Sequence, residues 1–259
     1  MAKHILIERD GAVATVVLNR PRKLNAMTKR MWRSLGDTML TLSADNDVRC
    51  IVLRGAGEKS FSPGNDIGEF EKQRANIQQG RAYGAIMTRT IDALLGCRHP
   101  VVAMIHGICV GGGLEIACCC DIRICGESSR FGVPINKLGL VMSPTELEGL
   151  VHLVGAASAL EILLEGRIFD AGDALDKGLV TRVVPDEDVA RETAETVARI
   201  VDGAPLVAQW HKKFIKRFED PKPLTGEEID EGYLCFGTRD FQIGYKAFLK
   251  KAKPKFVGR

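Results

Sequence analysis

No uninterrupted apolar run in this 259-residue chain approaches the ~20 residues that a membrane-spanning helix needs, so no membrane partner is expected. Net charge is also scarce: 36 Lys and Arg against 33 Asp and Glu leave +3. That is too little to expect nucleic acid as a partner. Aromatic residues make up only 6%, but 45% hydrophobic and 27% charged residues are otherwise ordinary for a soluble globular protein. Among the eight cysteines no Cys-x-x-Cys pair has metal spacing. Three are consecutive (Cys118, Cys119, Cys120) and most lie in apolar segments, so they are expected to be small buried hydrophobes kept as reduced thiols. The sequence holds neither G-x-x-x-x-G-K-[ST] nor G-x-S-x-G, which argues against P-loop and α/β-hydrolase chemistry. No histidine is paired with a plausible Ser or Cys nucleophile or grouped with aspartates, so covalent and metal catalysis are not expected. The N-terminus carries charges in its first ten residues and has the pattern of a strand rather than a signal or transit peptide; the cytoplasm is the expected location.

What is present centres on PVVAMIHGICVGGGLEIACCCD, Pro100 to Asp121. A buried strand ends at His106-Gly107, three glycines follow at 111 to 113, and Leu114-Glu115-Ile116-Ala117 begins a helix. Such a turn aims unpaired backbone N–H groups and the positive end of a helix dipole at an anionic oxygen. The spacing of Gly107, Gly111 and Gly113 does not fit G-x-G-x-x-G, so a dinucleotide cofactor is not expected. A second glycine loop, Phe61 to Ile67 (FSPGNDI), follows another apolar strand at Cys50 to Leu53 and offers a further backbone N–H.

Around these lies an alternation of strands and helices. Ile5 to Glu8 and Val13 to Leu18 form strands joined by the turn Arg9-Asp10-Gly11. Thr28 caps a helix to about Ser43, with Met31, Leu35, Met39 and Leu42 near helical spacing. Residues 70 to 95 are mostly helical, 122 to 125 form a strand, and Phe131-Gly132 opens a loop. Ser143-Pro144-Thr145-Glu146 fits a capping box, which favours a structural Glu146 over a catalytic one. A unit of two strands and a helix recurs through residue 185, predicting a layered α/β core over 1–204. Residues 205–259 lack strand patterns and read as a helical appendage.

Taken together, the two glycine loops resemble the crotonase (enoyl-CoA hydratase/isomerase) superfamily. Phe61 to Ile67 matches F-x-x-G-x-D-[IL], and His106 to Ile124 matches N/H-G-x-x-x-G-G-G-x-E/D-[LI]-A-x-x-C-D-x-x-[IV]. The likeness extends to Arg20-Pro-x-x-Leu24-Asn25-Ala26, Phe131-Gly132, Leu163-x-x-Gly166, Ala174-x-x-x-Gly178-Leu179-Val180 and the Phe248/Lys251 tail, and so spans essentially the whole chain. The resemblance implies an α/β fold of the crotonase/ClpP-like type, a spiral of repeated ββα units with a C-terminal helical trimerisation region. It further implies an acyl-CoA thioester as substrate and neither metal nor redox cofactor. The thioester oxygen would lie between the backbone N–H groups of Asn65 and Gly112, with Glu115 as general acid/base. Coenzyme A would meet Arg22, Lys23, Leu24, Gly64, Asp66 and Ile67. Phe248 and Lys251 would reach the ligand of a neighbouring subunit in a homotrimer or a dimer of trimers.

One departure matters. The second acid of the hydratase pattern should follow Phe131-Gly132-Val133-Pro134, where this chain has Ile135. Isoleucine can neither activate water nor deliver a proton, and the adjacent Asn136 cannot exchange protons. The expected activity is therefore an enolate reaction with Glu115 as its single acid/base, either hydration/elimination or double-bond isomerisation. The alternative is a catalytically impaired acyl-CoA-binding or assembly protein that retains the fold.

Overall fold

The computed structural model describes residues 4–259. The chain runs β1 (Ile5–Asp10), β2 (Val13–Leu18), α1 (Lys29–Ala44), β3 (Cys50–Gly55), β4 (Ser60–Ser62), α2 (Phe70–Gln73), α3 (Ile77–Leu95), β5 (Val101–Ile105) and β6 (Ile108–Val110). It continues through α4 (Gly112–Cys118), β7 (Ile122–Gly126), β8 (Arg130–Gly132), α5 (Pro144–Glu165), α6 (Ala171–Asp176), β9 (Arg182–Val184) and α7 (Val189–Val201). Three helices close it: α8 (Pro205–Arg217), α9 (Gly226–Glu231) and α10 (Arg239–Leu249).

Six strands form one sheet in the order β1-β2-β3-β5-β7-β9, with only the β1–β2 hairpin antiparallel. β4, β6 and β8 form a second, parallel sheet. After the β1–β2 hairpin and α1, each pass of the chain gives one strand to the large sheet, the next to the small one, and then helix. This is the expected ββα spiral. The small sheet itself is not anticipated by the sequence pattern, in which Ser60–Ser62, Ile108–Val110 and Arg130–Gly132 fall in loops. Each of its strands is three residues long, too short to show a period of two.

The central strands are buried on both faces and therefore read as continuous apolar runs. Ile51, Leu53, Val101, Ala103 and Ile105 join the main core with Met31, Leu35, Met39 and Leu42 of α1. Cys50, Val52, Val102 and Ile124 pack on the other side with Val197 of α7. Helix α1 begins as predicted, with the Thr28 hydroxyl accepting from the Met31 N–H at 3.2 Å. All eight cysteines are free thiols, seven of them buried, and burial pushes Cys50, Cys118, Cys120 and Cys125 up to about 12. They pack as small apolar groups.

Helix α5 corrects one expectation. Although no uninterrupted apolar run exists, its 22 residues are long and apolar enough, by length and composition, to cross a membrane. Its few polar residues are spread thinly enough that the average stays high. Gly155, at φ 72° and ψ 167°, breaks the helix in the middle. From Pro205 onward Asp240 is the only buried residue, and Phe218, Phe236, Phe248 and Leu249 are all exposed. The Asp240 carboxylate ties the tail down by accepting from the N–H groups of Val257 (2.7 Å) and Gly258 (2.9 Å).

Candidate active site

Two backbone turns meet at the site. The first leaves β4 at Ser62, whose hydroxyl donates to the Asn25 carbonyl at 3.0 Å and accepts from the Gly64 N–H at 3.1 Å. Met27 N–H then donates to the Gly64 carbonyl (2.7 Å), and Asp66 N–H donates to the Met27 carbonyl (2.8 Å). This pattern uses the amides on both sides of Asn65 and leaves the Asn65 N–H with no partner among the described residues. The second turn leaves β6 through Gly111, at φ 52° and ψ −126°, a conformation that suits glycine alone. Gly112 is the first residue of α4, so its N–H has no intrahelical acceptor.

The turns touch. A Cβ on Gly64, itself at φ +90°, would stand 2.6 Å from the Gly112 nitrogen, and one on Gly112 would lie 3.6 Å from the Asn65 nitrogen. A Cβ on Gly113 would overlap the Ser62 carbonyl oxygen. Only glycine lets the two amides converge on one small space.

The Asn65 side chain is held from behind. Its Oδ1 accepts from the Trp32 indole N–H at 2.6 Å and from the Tyr83 hydroxyl at 3.4 Å. The Tyr83 hydroxyl also lies 3.5 Å from Glu69 Oε2, which accepts the Lys29 N–H at 2.7 Å. Trp32 and Tyr83 are fully buried core aromatics. Nothing in their sequence pattern marks them as supports for the site.

Glu115 lines the same pocket as Asn65, Gly111 and Gly112, with Ile67, Met87, Pro134, Ile135 and Leu140 as apolar walls. It is 7% exposed, and its Oε2 is buried with no hydrogen-bond partner. Burial first, and then the charge of Glu146, push its carboxyl up from 4.5 to about 8, against the opposing pull of Arg74. At neutral pH the group is therefore held protonated. Arg74 also lines the pocket, with its guanidinium carbon 4.8 Å from the Phe70 ring centre and 5.0 Å from that of Tyr83.

The remaining residues singled out from the sequence divide. Ile67 lines the pocket and is exposed. Asp66 braces the loop instead of lining the cavity: it pairs with Arg20 at 2.6 Å and accepts the Gly68 N–H at 3.0 Å. Burial alone would raise its carboxyl, but these two donors hold it below the ordinary value. Arg22 and Lys23 are exposed on the 3₁₀ turn Pro21–Lys23, which ends at Leu24 with φ 52°. Phe248 and Lys251 are exposed and do not line the pocket within this chain.

Ile135 indeed forms part of the pocket wall. Asn136 is turned away, donating to the Leu164 carbonyl at 2.9 Å. Glu146 does what the capping box predicts, accepting the Ser143 N–H at 2.7 Å, yet it also lines the pocket. Glu148 is exposed on the outer side of α5, where Glu148, His152 and Glu219 place ligand atoms within 4.8 Å of one another. That trio lies outside the pocket. A separate cavity of about 960 Å³ runs between α8 and α9 past Trp210, Phe214 and Phe218, and contains none of the site residues.

A ββα spiral with two converging glycine turns and a buried acid defines a crotonase-fold protein. The chain matches the enoyl-CoA hydratase/isomerase family model over residues 8–259 and belongs to that family. It is 32% identical over 255 residues to a short-chain-enoyl-CoA hydratase from Clostridium acetobutylicum, covering 96% of each chain. It is 30% identical over 259 residues to a crotonyl-CoA hydratase from Syntrophomonas wolfei, covering 99% of each. Among solved structures, an enoyl-CoA hydratase/carnithine racemase from Magnetospirillum magneticum superposes with a TM-score of 0.98 at 49% identity, over 100% of this chain and 97% of that one.

Proposed function

We propose that the chain is an acyl-CoA enzyme that stabilises a thioester enolate between the N–H groups of Asn65 and Gly112, with Glu115 transferring the proton. One observation carries this reading. Two backbone amides without partners lie beside a buried, partnerless carboxyl in one apolar pocket. When a thioester becomes an enolate, negative charge grows on the carbonyl oxygen. Fixed donors that need no reorganisation favour that charge most, and losing one such donor typically costs about 3 to 4 kcal/mol. Glu115, protonated at neutral pH, can deliver a proton to carbon and take it back in the reverse direction.

In this reading coenzyme A would meet the exposed basic turn Arg22-Lys23-Leu24, whose cations suit its phosphates, together with Gly64, Asp66 and Ile67. Phe248 and Lys251, exposed and not lining this chain's own pocket, fit a role at the site of a neighbouring subunit. Residues 205–259 bury almost nothing within the chain while exposing large apolar side chains. This supports their assignment as the oligomerisation region of a homotrimer or a dimer of trimers.

The test incubates purified protein with crotonyl-CoA and with a 3-enoyl-CoA, beside a Glu115→Gln variant. Turnover of either substrate at about a hundredfold or more above the variant is expected. Equal rates, with CoA esters still bound, would instead support an acyl-CoA-binding protein without this chemistry.

A further inference from the structure

The apolar residue at 135 leaves a hydration reaction one proton carrier short, and the pocket supplies a replacement from a different element. We propose that Glu146, in the first turn of α5, is the second proton-transfer residue of this site and makes the enzyme a hydratase. The inference rests on the reading of Glu115, Asn65 and Gly112 given above, and it fixes the reaction class that reading leaves open.

The geometry singles out Glu146. It lines the same cavity as Glu115, Asn65 and Gly112. One of its oxygens, Oε2, accepts the Ser143 N–H at 2.7 Å, and Oε1 has no partner among the described residues. In the same pocket, Glu115 likewise keeps a buried oxygen without a partner. Helices α4 and α5 pack closely, since a Cβ on Gly149 would lie 3.4 Å from the Cys118 Cβ. That contact fixes both acids on adjoining walls. Glu146 is also the carboxylate whose charge acts most on Glu115, an independent sign that the two share one space. Other local candidates are removed: Asn136 bonds to Leu164, and Glu148 is exposed on the outer face. The capping bond is part of the device, because it holds the side chain in one rotamer over the cavity.

The two acids divide the work by environment. Glu115, buried and held protonated, is the donor; Glu146, half-exposed, is the acceptor. A water placed between Glu146 Oε1 and C3 of a 2-enoyl thioester loses a proton to Glu146 as its oxygen bonds to C3. The C2=C3 pair shifts to the C1–C2 bond, and the carbonyl pair moves to the oxygen held by Asn65 and Gly112. Glu115 gives its proton to C2 as the enolate collapses to a 3-hydroxyacyl thioester. One water is consumed, and the acids reset when Glu146 releases a proton to solvent and Glu115 regains one.

Glu146→Gln separates this role from capping, because a glutamine oxygen still accepts the Ser143 N–H but cannot exchange protons. The variant should melt within about 2 °C of the wild type and lose crotonyl-CoA hydration by about a hundredfold or more. Above about pH 8, where Glu115 ionises and can take a proton from carbon, it should still exchange the C2 hydrogens of butyryl-CoA in D₂O, a step that needs only Glu115 and the two amides. Glu115→Gln should lose both activities. Hydration by Glu146→Gln within about threefold of wild type, or joint loss of hydration and exchange, overturns the role of Glu146. Wild-type protein that neither hydrates nor exchanges overturns the enolate reading beneath it. If the glutamine variant melts early, formate added to Glu146→Ala decides: restored hydration supports the proposal, and no restoration overturns it.

Discussion

The Trp32 indole N–H donates to the Asn65 side chain at 2.6 Å, so a core residue of α1 fixes the residue whose backbone amide faces the pocket. Trp32→Phe keeps most of the buried ring surface and removes this bond. A positional error at the amide should weaken enolate stabilisation more than substrate binding. We expect kcat to fall by about tenfold, the equivalent of about 1.4 kcal/mol, with KM nearly unchanged. Steady-state kinetics on crotonyl-CoA would decide, and a change confined to KM would mean that Trp32 only shapes the acyl pocket.

Gly64→Ala tests the contact between the two turns. Its Cβ would fall 2.6 Å from the Gly112 nitrogen, against backbone rather than a flexible side chain, at a φ of +90°. The two amides must then separate. Activity should drop by at least about a hundredfold, and stability should fall because the strained φ has no compensation. A variant that folds with wild-type kcat would show that the amides need not converge.

The same contact explains how far the sequence could be read. Both glycine loops stand out because a close backbone approach demands a residue without a side chain, and that demand shows at the level of residue type. Alternation and capping likewise revealed α1 at Thr28 and α5 at Ser143. The small sheet stayed hidden, since three-residue strands such as Ile108–Val110 carry too little pattern to separate from a turn. Trp32 and Tyr83 stayed hidden for another reason. A buried aromatic serving a polar neighbour has the same sequence signature as one that only fills the core. With Glu146, one residue meets two demands at once, and its capping pattern was the more visible.

Glu115 also makes stability depend on pH. Its folded-state carboxyl sits at about 8 against an ordinary 4.5, because burial and Glu146 disfavour the charge. The folded form therefore holds the proton more tightly than the unfolded chain does. Its contribution is complete below about 4.5 and is lost as pH rises towards 8. The size is on the order of a few kcal/mol, at about 1.4 kcal/mol per pH unit. Urea-unfolding midpoints of wild type should therefore decline between pH 5 and pH 9 more than those of Glu115→Gln, which has no charge to bury. At pH 9 the variant should be the more stable of the two. Parallel pH profiles would mean that Glu115 ionises freely in the folded state.

Arg74 moves the same equilibrium the other way. Its guanidinium is held between the Phe70 and Tyr83 rings and makes no ion pair among the described residues, so its charge acts on the pocket. It favours ionised Glu115 and partly offsets burial. Replacing it with methionine keeps an apolar stem against the rings while removing the charge. Glu115 should then hold its proton to a higher pH. If Glu115 is the acid of the reaction, the alkaline limb of kcat/KM against pH must move upward in Arg74→Met. A second shift follows from the same cause: the Tyr83 phenol, also stabilised in its charged form by Arg74, should ionise at higher pH. Movement of the kinetic limb to lower pH, or none, would separate Arg74 from Glu115 and leave the cation as a contact for substrate alone.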